Sequence, residues 1–328
     1  MIIEWKEPKS WAPAVSRWLR PYLNERGTRH LQRKGEMDIC WDDSDWLNET
    51  QEILQFEIEQ VVEILADALS FAAARTYHGC RTADARSYHL GGIRRNDPAV
   101  LVDEVRRIVR EEGRLAHLRP FIEQRLRDFD SKDRDTGRLY LVMDDRSLTK
   151  SAGQYLLYGS EWIQCVLGFE AHETLRRRGV PTILAVTLPL SRVTAHEREQ
   201  LAEVMLQEWT RIKVNRPDWV PELDFTFEQR VDIPGDMIVG HYHPEVIRDP
   251  YYPNTTRRVG RQTCPGCALT PIPAKDAPDF VDAAAKERNQ LKGGRVEQAE
   301  AADSVHGASP VLPRASGPRG KSLKSLSN

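Results

Sequence analysis

Apolar positions recur at helical spacing through the first part of the chain and contract into short continuous runs further on. Leu54, Ile58, Val61, Leu65 and Leu69 line one face of a helix, and Asn48 with Gln51 three residues later reads as the capping box that opens it. From Glu36 to Ala74 there is no Lys or Arg and there are many acids, which makes the outer face of this helix acidic and solvated. The same face would suit a basic partner. An apolar strand follows, with Gly79 marking its end in a turn, and then a single helical turn over Asp84–Leu90 stopped by Gly91 and Gly92. Two helices rich in Arg and Glu are predicted near 98–113 and 115–129. Arg138–Met143 reads as a buried strand, Ser147–Leu157 as a helix, and Ser160 to about Arg178 as another. Pro181–Leu188 is the clearest strand, with its proline at the start where a missing N–H does least harm. A helix over 194–213 and strands near 224–231 and 236–242 complete the pattern, with Phe225 and Phe227 on one strand face. No repeat is present.

This alternation predicts an α+β fold. Its parts are an N-terminal helical segment over 1–74, a core over 75–250, a cysteine-containing extension with a helix over 251–292, and a tail over 293–328. In the 328 residues, 40% are apolar and 29% charged, which allows a sizeable core. The net charge of −2 gives no overall attraction to nucleic acid or membrane. The tail is different: residues 305–328 contain Arg314, Arg319, Lys321 and Lys324 and no acid, and too little apolar surface to offset ordering. It is expected to be disordered and able to contact nucleic acid or an acidic partner. Five scattered cysteines do not form a secreted disulfide framework. The absence of an apolar leader in Met1–Pro8, and of any membrane-length apolar run, makes the cytoplasm the expected compartment and excludes a membrane partner.

Three local patterns stand in an informative order. Tyr77-His78-Gly79-Cys80-Arg81 precedes a short helix and Gly92-Ile93. Gly137-Arg138-Leu139-Tyr140 leads through Asp144, Ser147, Ser151 and Ala152 to Tyr155. Tyr158-Gly159-Ser160-Glu161 precedes the strand over 182–188. This succession resembles the ADP-ribosyltransferase superfamily, in its poly(ADP-ribose) polymerase and diphtheria-toxin-like His-Tyr-Glu branch, over roughly residues 75–245. The resemblance implies a split β-sheet core with flanking helices, NAD as substrate and a macromolecular acceptor. It implies that His78 matches the histidine that binds the NAD ribose and Tyr140 the tyrosine that stacks on nicotinamide. A role as toxin, modification or defence protein would fit that family. The sequence departs from the family's usual pattern at Leu141–Asp144, where one residue is extra. The acid stays open between Glu161, Glu228 and Asp236, because Glu161 precedes the position where the family carries its glutamate.

The residue types suit that chemistry on their own terms. Cleavage of the nicotinamide–ribose bond develops oxocarbenium character, which a carboxylate stabilises. An aromatic ring such as Tyr140 or Tyr155 offers nicotinamide a flat face. Gly79 lets a ligand approach the backbone beside His78, and Arg81 is placed to pair with pyrophosphate. The products would be ADP-ribosylated acceptor or, with water, free ADP-ribose.

Separately, His241-Tyr242-His243 and Cys264-Pro265-Gly266-Cys267 lie about twenty residues apart and offer four donors suited to tetrahedral zinc. Two other readings compete. A non-catalytic binding or regulatory protein, with a structural zinc site, would use Trp5, Trp11, Trp18, the acidic helix and the basic tail as contact surfaces. A ribonuclease would use Arg110 and His117, seven residues apart.

Overall fold

The computed structural model describes residues 1–40, 42–130, 136–252 and 255–268. The expected helix of the 251–292 extension and the basic tail over 293–328 lie outside these residues.

The chain opens with β1 (Ile2–Ile3), α1 (Pro8–Leu19), α2 (Glu25–Arg33), α3 (Asp45–Ile53) and α4 (Ile58–Leu69). The single helix expected around Leu54–Leu69 is therefore two. Tertiary pairing interrupts it: Leu54 forms a bridge with Leu23, the Gln55 amide donates to the Tyr22 carbonyl, and the Asn24 side chain donates to the Leu54 carbonyl. Asn48 is interior to α3, donating to Asp45, and Gln51 instead accepts from the Ile58 amide at the start of α4. The acidic stretch meets a basic partner within the chain, because Lys34 pairs with Glu49 and His30 and Lys34 with Glu52.

Next come β2 (Ala73–Thr82), α5 (Arg86–Gly91), α6 (Pro98–Glu111), α7 (Ile122–Asp130) and β3 (Leu139–Val142). Strand β2 runs straight through Gly79 instead of turning there. A Cβ at Gly79 would stand 3.1 Å from Leu148 Cδ2, so the glycine admits close helix packing rather than a bend. After β3 the expected long helices are short pieces: α8 (Asp145–Thr149), α9 (Gln154–Tyr158), α10 (Glu161–Leu167) and α11 (His172–Arg176). Gly159 and Gly168, at φ of 81° and 77°, end α9 and α10 in the left-handed region where side chains are disfavoured.

The rest comprises β4 (Val180–Pro189), α12 (Ala195–Val214), β5 (Thr226–Gln229), β6 (Ile238–Tyr242), and a hairpin of β7 (Val246–Arg248) and β8 (Thr256–Arg258). A reciprocal capping box between Thr194 and Glu197 starts α12. The main sheet has the order β5-β3-β2-β4-β6, antiparallel throughout, and β1 joins β2 in parallel. Strand β4, between β2 and β6, is apolar on both faces because both are covered. Leu184, Val186 and Leu188 face a core shared with α1, α4 and α12, while Ile183 faces one built from α6, α7 and α9–α11. Trp5, Trp11 and Trp18 are buried in the first of these cores, so they present no contact surface.

The ladder is incomplete between the two inner strands. Strand β2 pairs with β4 at ten successive positions but with β3 at Tyr77↔Val142 alone, while β3 stays paired with β5 along its whole length. Beyond Tyr77, β2 and β3 diverge, and the gap opens onto a cleft.

Candidate functional site

The cleft has a volume of about 1360 Å³. That exceeds the 300–1,000 Å³ or so typical of small-ligand pockets, so an extended ligand fits. Its floor is the divergence of β2 and β3. One rim is the Gly92–Asp97 loop, fixed by the Ile93–Ile233 bridge and by the Asn96 amide donating to the Arg138 carbonyl. The opposite rim is the α9–α10 turn.

His78, Tyr140, Tyr155 and Glu161, drawn from four elements, all line this cleft. His78 Nδ1 lies 3.1 Å from the Tyr140 carbonyl, across the gap between the strands. A carbonyl only accepts, so Nδ1 carries the proton and Nε2 keeps its lone pair. Burial lowers the His78 pKa below its ordinary value, with the hydrogen bond to Tyr140 opposing it, which favours this neutral ring. On the far rim the Tyr155 hydroxyl donates to Glu161 Oε2 at 2.8 Å and orients the carboxylate. Tyr158, between them in sequence, is anchored by donating to the buried carboxylate of Asp249, which also accepts from Arg257. The β7–β8 hairpin therefore holds the cleft wall from behind.

The other two acids sit elsewhere. Glu228 stands opposite Tyr140 in the β3–β5 ladder, paired with Arg138 at 3.4 Å and Arg230 at 2.8 Å. Asp236 is exposed on the turn Gly235–Met237. Of the three, Glu161 is the one lining the cleft.

Arg81 also borders the cleft, but four of its five guanidinium N–H groups go to backbone carbonyls. Nε donates to the Arg178 carbonyl, Nη1 to Leu156, and Nη2 to Arg176 and Gly179. Burial pulls its pKa down to about 10. It braces the α9 and α11 ends, which leaves one Nη1 hydrogen for the bidentate pairing with pyrophosphate expected of it. Three further cations line the cleft: Arg178, paired with Glu112 at 2.9 Å, and Arg94 and Arg95, both exposed and both paired with Asp232 at 2.9 and 3.2 Å. Hydrogen bonds from the Arg95 amide and the Arg94 side chain hold the Asp232 carboxyl down at about 2. The sequence reading names neither Arg94 nor Arg95; their place in the short loop between Gly91-Gly92 and the helix-starting Asp97-Pro98 was the available signal.

Arg110 and His117 lie on different elements. Helix α6 ends at Glu111, His117 sits on the 3₁₀ turn Gly113–Leu118, and its imidazole faces Glu170 at 3.4 Å.

Outside the cleft, His241, His243, Cys264 and Cys267 converge, with one donor atom from each lying within 4.8 Å of all the others. His241 and His243 share a face because the backbone there is extended along β4, with His241 opposite Leu184. The Cys264–Cys267 turn is a short 3₁₀ segment over Pro265–Ala268, closed by the Cys267 amide donating to the Cys264 carbonyl.

Among the described residues no helix is long and apolar enough to cross a membrane. Comparison with protein-family models, with curated proteins and with solved structures gives no significant match to this chain.

Proposed function

We propose that the cleft binds NAD and that the protein cleaves its nicotinamide–ribose bond, passing ADP-ribose to a macromolecular acceptor or to water. One observation carries this reading. Four residues singled out from separate stretches of sequence for this chemistry line one cleft large enough for a dinucleotide, at the point where the sheet splits.

Each group has a role that its surroundings suit. The free Nε2 lone pair of neutral His78 accepts a ribose hydroxyl, its ring held by the Tyr140 carbonyl. Tyr140 gives the nicotinamide ring a flat face. Arg94 and Arg95 exchange Asp232 for the pyrophosphate, a charge-assisted replacement that leaves the cations paired. Glu161, oriented by Tyr155, stabilises the positive charge that develops on the ribose as the C1′–N bond breaks. The bonding pair leaves with nicotinamide, which departs neutral. The acceptor nucleophile bonds C1′ and releases its proton, to Glu161 or to solvent.

The test is NAD binding by calorimetry to the wild type, His78→Ala and Tyr140→Ala, followed by nicotinamide release over time. The expected result is binding by the wild type, its loss in both variants, and release of nicotinamide by the wild type. No detectable binding at millimolar NAD by folded wild-type protein would overturn the reading.

A further inference from the structure

We propose that His241, His243, Cys264 and Cys267 bind one zinc ion in a closed, tetrahedral, structural centre. The inference rests on donor geometry alone and is independent of what occupies the cleft.

Three of the six distances between the donors are close to those of a tetrahedron, and all six are within 4.8 Å. With zinc–sulfur bonds of about 2.3 Å and zinc–nitrogen bonds of about 2.05 Å, tetrahedral angles place the two sulfurs about 3.8 Å apart and each sulfur about 3.6 Å from a nitrogen. The two sulfurs lie 4.0 Å apart, Cys264 Sγ is 3.6 Å from His241 Nε2, and Cys267 Sγ is 3.3 Å from His243 Nε2. A disulfide would bring the sulfurs to roughly 2.05 Å, and these cysteines are free.

The surroundings prepare each donor. His243 turns Nδ1 to the Pro181 carbonyl at 2.9 Å, and because a carbonyl only accepts, Nε2 is left as the lone-pair nitrogen facing Cys267. His241 turns Nδ1 to His89 Nε2 at 3.0 Å, leaving its own Nε2 toward Cys264. Each sulfur accepts a backbone N–H, Cys264 from Ala85 at 3.4 Å and Cys267 from Cys264 at 3.3 Å, and these bonds hold the sulfurs in position. Two imidazoles and two thiolates in a tetrahedron suit zinc among the common divalent ions. Four protein ligands leave no open position, which marks the centre as structural rather than catalytic.

What the ion would hold is also visible. The Cys264–Ala268 turn rests on the segment between β2 and α5: a Cβ on Gly266 would stand 2.9 Å from the Arg86 amide nitrogen. The centre thus ties the end of the described chain to β6 and to α5. His89 of α5 touches the centre while its neighbour Tyr88 lines the cleft.

Metal analysis of the full chain purified without chelator is expected to give one zinc per chain. Stripped protein titrated with cobalt(II) is expected to show the intense visible bands of four-coordinate cobalt together with thiolate-to-cobalt charge transfer. Cys264→Ser and Cys267→Ser should each lose charge-transfer intensity. His89→Ala should keep the four-coordinate spectrum and weaken cobalt binding by roughly 10- to 100-fold, the usual cost of removing a group that orients a ligand. Should the serine variants fail to fold, zinc release from the wild type into a chromophoric chelator gives the stoichiometry with no substitution. A wild-type chain that takes up no cobalt, or gives the pale spectrum of six-coordinate cobalt, overturns the proposal, as does binding undiminished in folded serine variants.

Discussion

The cluster of His241, His243, Cys264 and Cys267 and the cleft meet at a single turn of α5, His89 facing one and Tyr88 the other, yet they are built on different plans. The tetrad takes its four donors from two short motifs, and Nδ1 of each histidine is held by a neighbour. The cleft gathers its groups from β2, β3, α9 and α10, with Arg94 and Arg95 added by a loop, and one cation that borders it, Arg81, is committed to the scaffold. A closed centre is made by local spacing and one strand face. An open site is made by where the sheet fails to pair.

The largest expected effect separates the two. Glu161→Gln keeps an acceptor for the Tyr155 hydroxyl and so should leave the thermal midpoint and the metal content unchanged. It removes the charge that the bond-breaking step needs, and nicotinamide release should fall by roughly 10²- to 10³-fold, the scale seen when a preorganised electrostatic contact is lost. Release at the wild-type rate in this variant would remove Glu161 from the chemistry and return attention to Glu228, the cross-strand neighbour of Tyr140.

The contrast also explains what was legible in the sequence. The α+β alternation, the strands over 138–143 and 181–188, the α12 helix and the four metal-ligand candidates followed from spacing, because each depends on residues close together in the chain. The breaks at Leu54–Glu57, at Lys150–Gly153 and at Gly168 did not. Two of these cuts are made by a partner far away in sequence: Leu54 is held by Leu23, and Gly153 lies against the Arg248 carbonyl, which a Cβ would approach to 2.0 Å. Gly79 carried the wrong message for the same reason, since glycine marks a turn or a close approach equally well, and only Leu148 and Leu156 decide between them. Arg81 looked like a ligand-binding cation because a sequence cannot show four carbonyls converging on it. Arg94 and Arg95 carried only a weak signal, a short loop between a diglycine and a helix start, which does not show that the loop borders a cleft.

Those arginines sharpen the comparison at the next level. Arg81→Met leaves four buried or half-buried carbonyls without their donor and should destabilise the fold by about 3 kcal/mol, lowering the thermal midpoint by roughly 5 °C in a chain of this size. The NAD affinity of the protein that remains folded should be unchanged. Arg95→Ala should do the reverse, with little change in the midpoint, since an exposed pair contributes about 0–1 kcal/mol, and about tenfold weaker NAD binding. Calorimetry and thermal melts on the same two preparations decide it. Weaker binding in Arg81→Met at an unchanged midpoint would assign the pyrophosphate to Arg81 after all.

The smallest effect is a pH dependence that belongs to His78. Burial where the strands diverge lowers its pKa below the ordinary value of about 6.5, so the folded state binds this proton less readily than the unfolded chain. Between the folded and unfolded values the unfolded state holds more protons, and stability therefore rises with pH across that window. The contribution is complete above about 6.5 and is lost as the pH falls toward the folded value. Catalysis should follow the same sense, because a protonated Nε2 has no lone pair for a ribose hydroxyl. Nicotinamide release should thus be level above neutrality and decline on the acid side. Metal ligands also take up protons in acid, and a loosened tetrad would imitate this limb. The two are separated by measuring zinc content at each pH and by His78→Asn, whose amide can still donate to the Tyr140 carbonyl but does not titrate. An acid limb that persists in His78→Asn and tracks the loss of zinc would place the pH sensitivity in the tetrad, and would mean that α5 transmits the state of one site to the other.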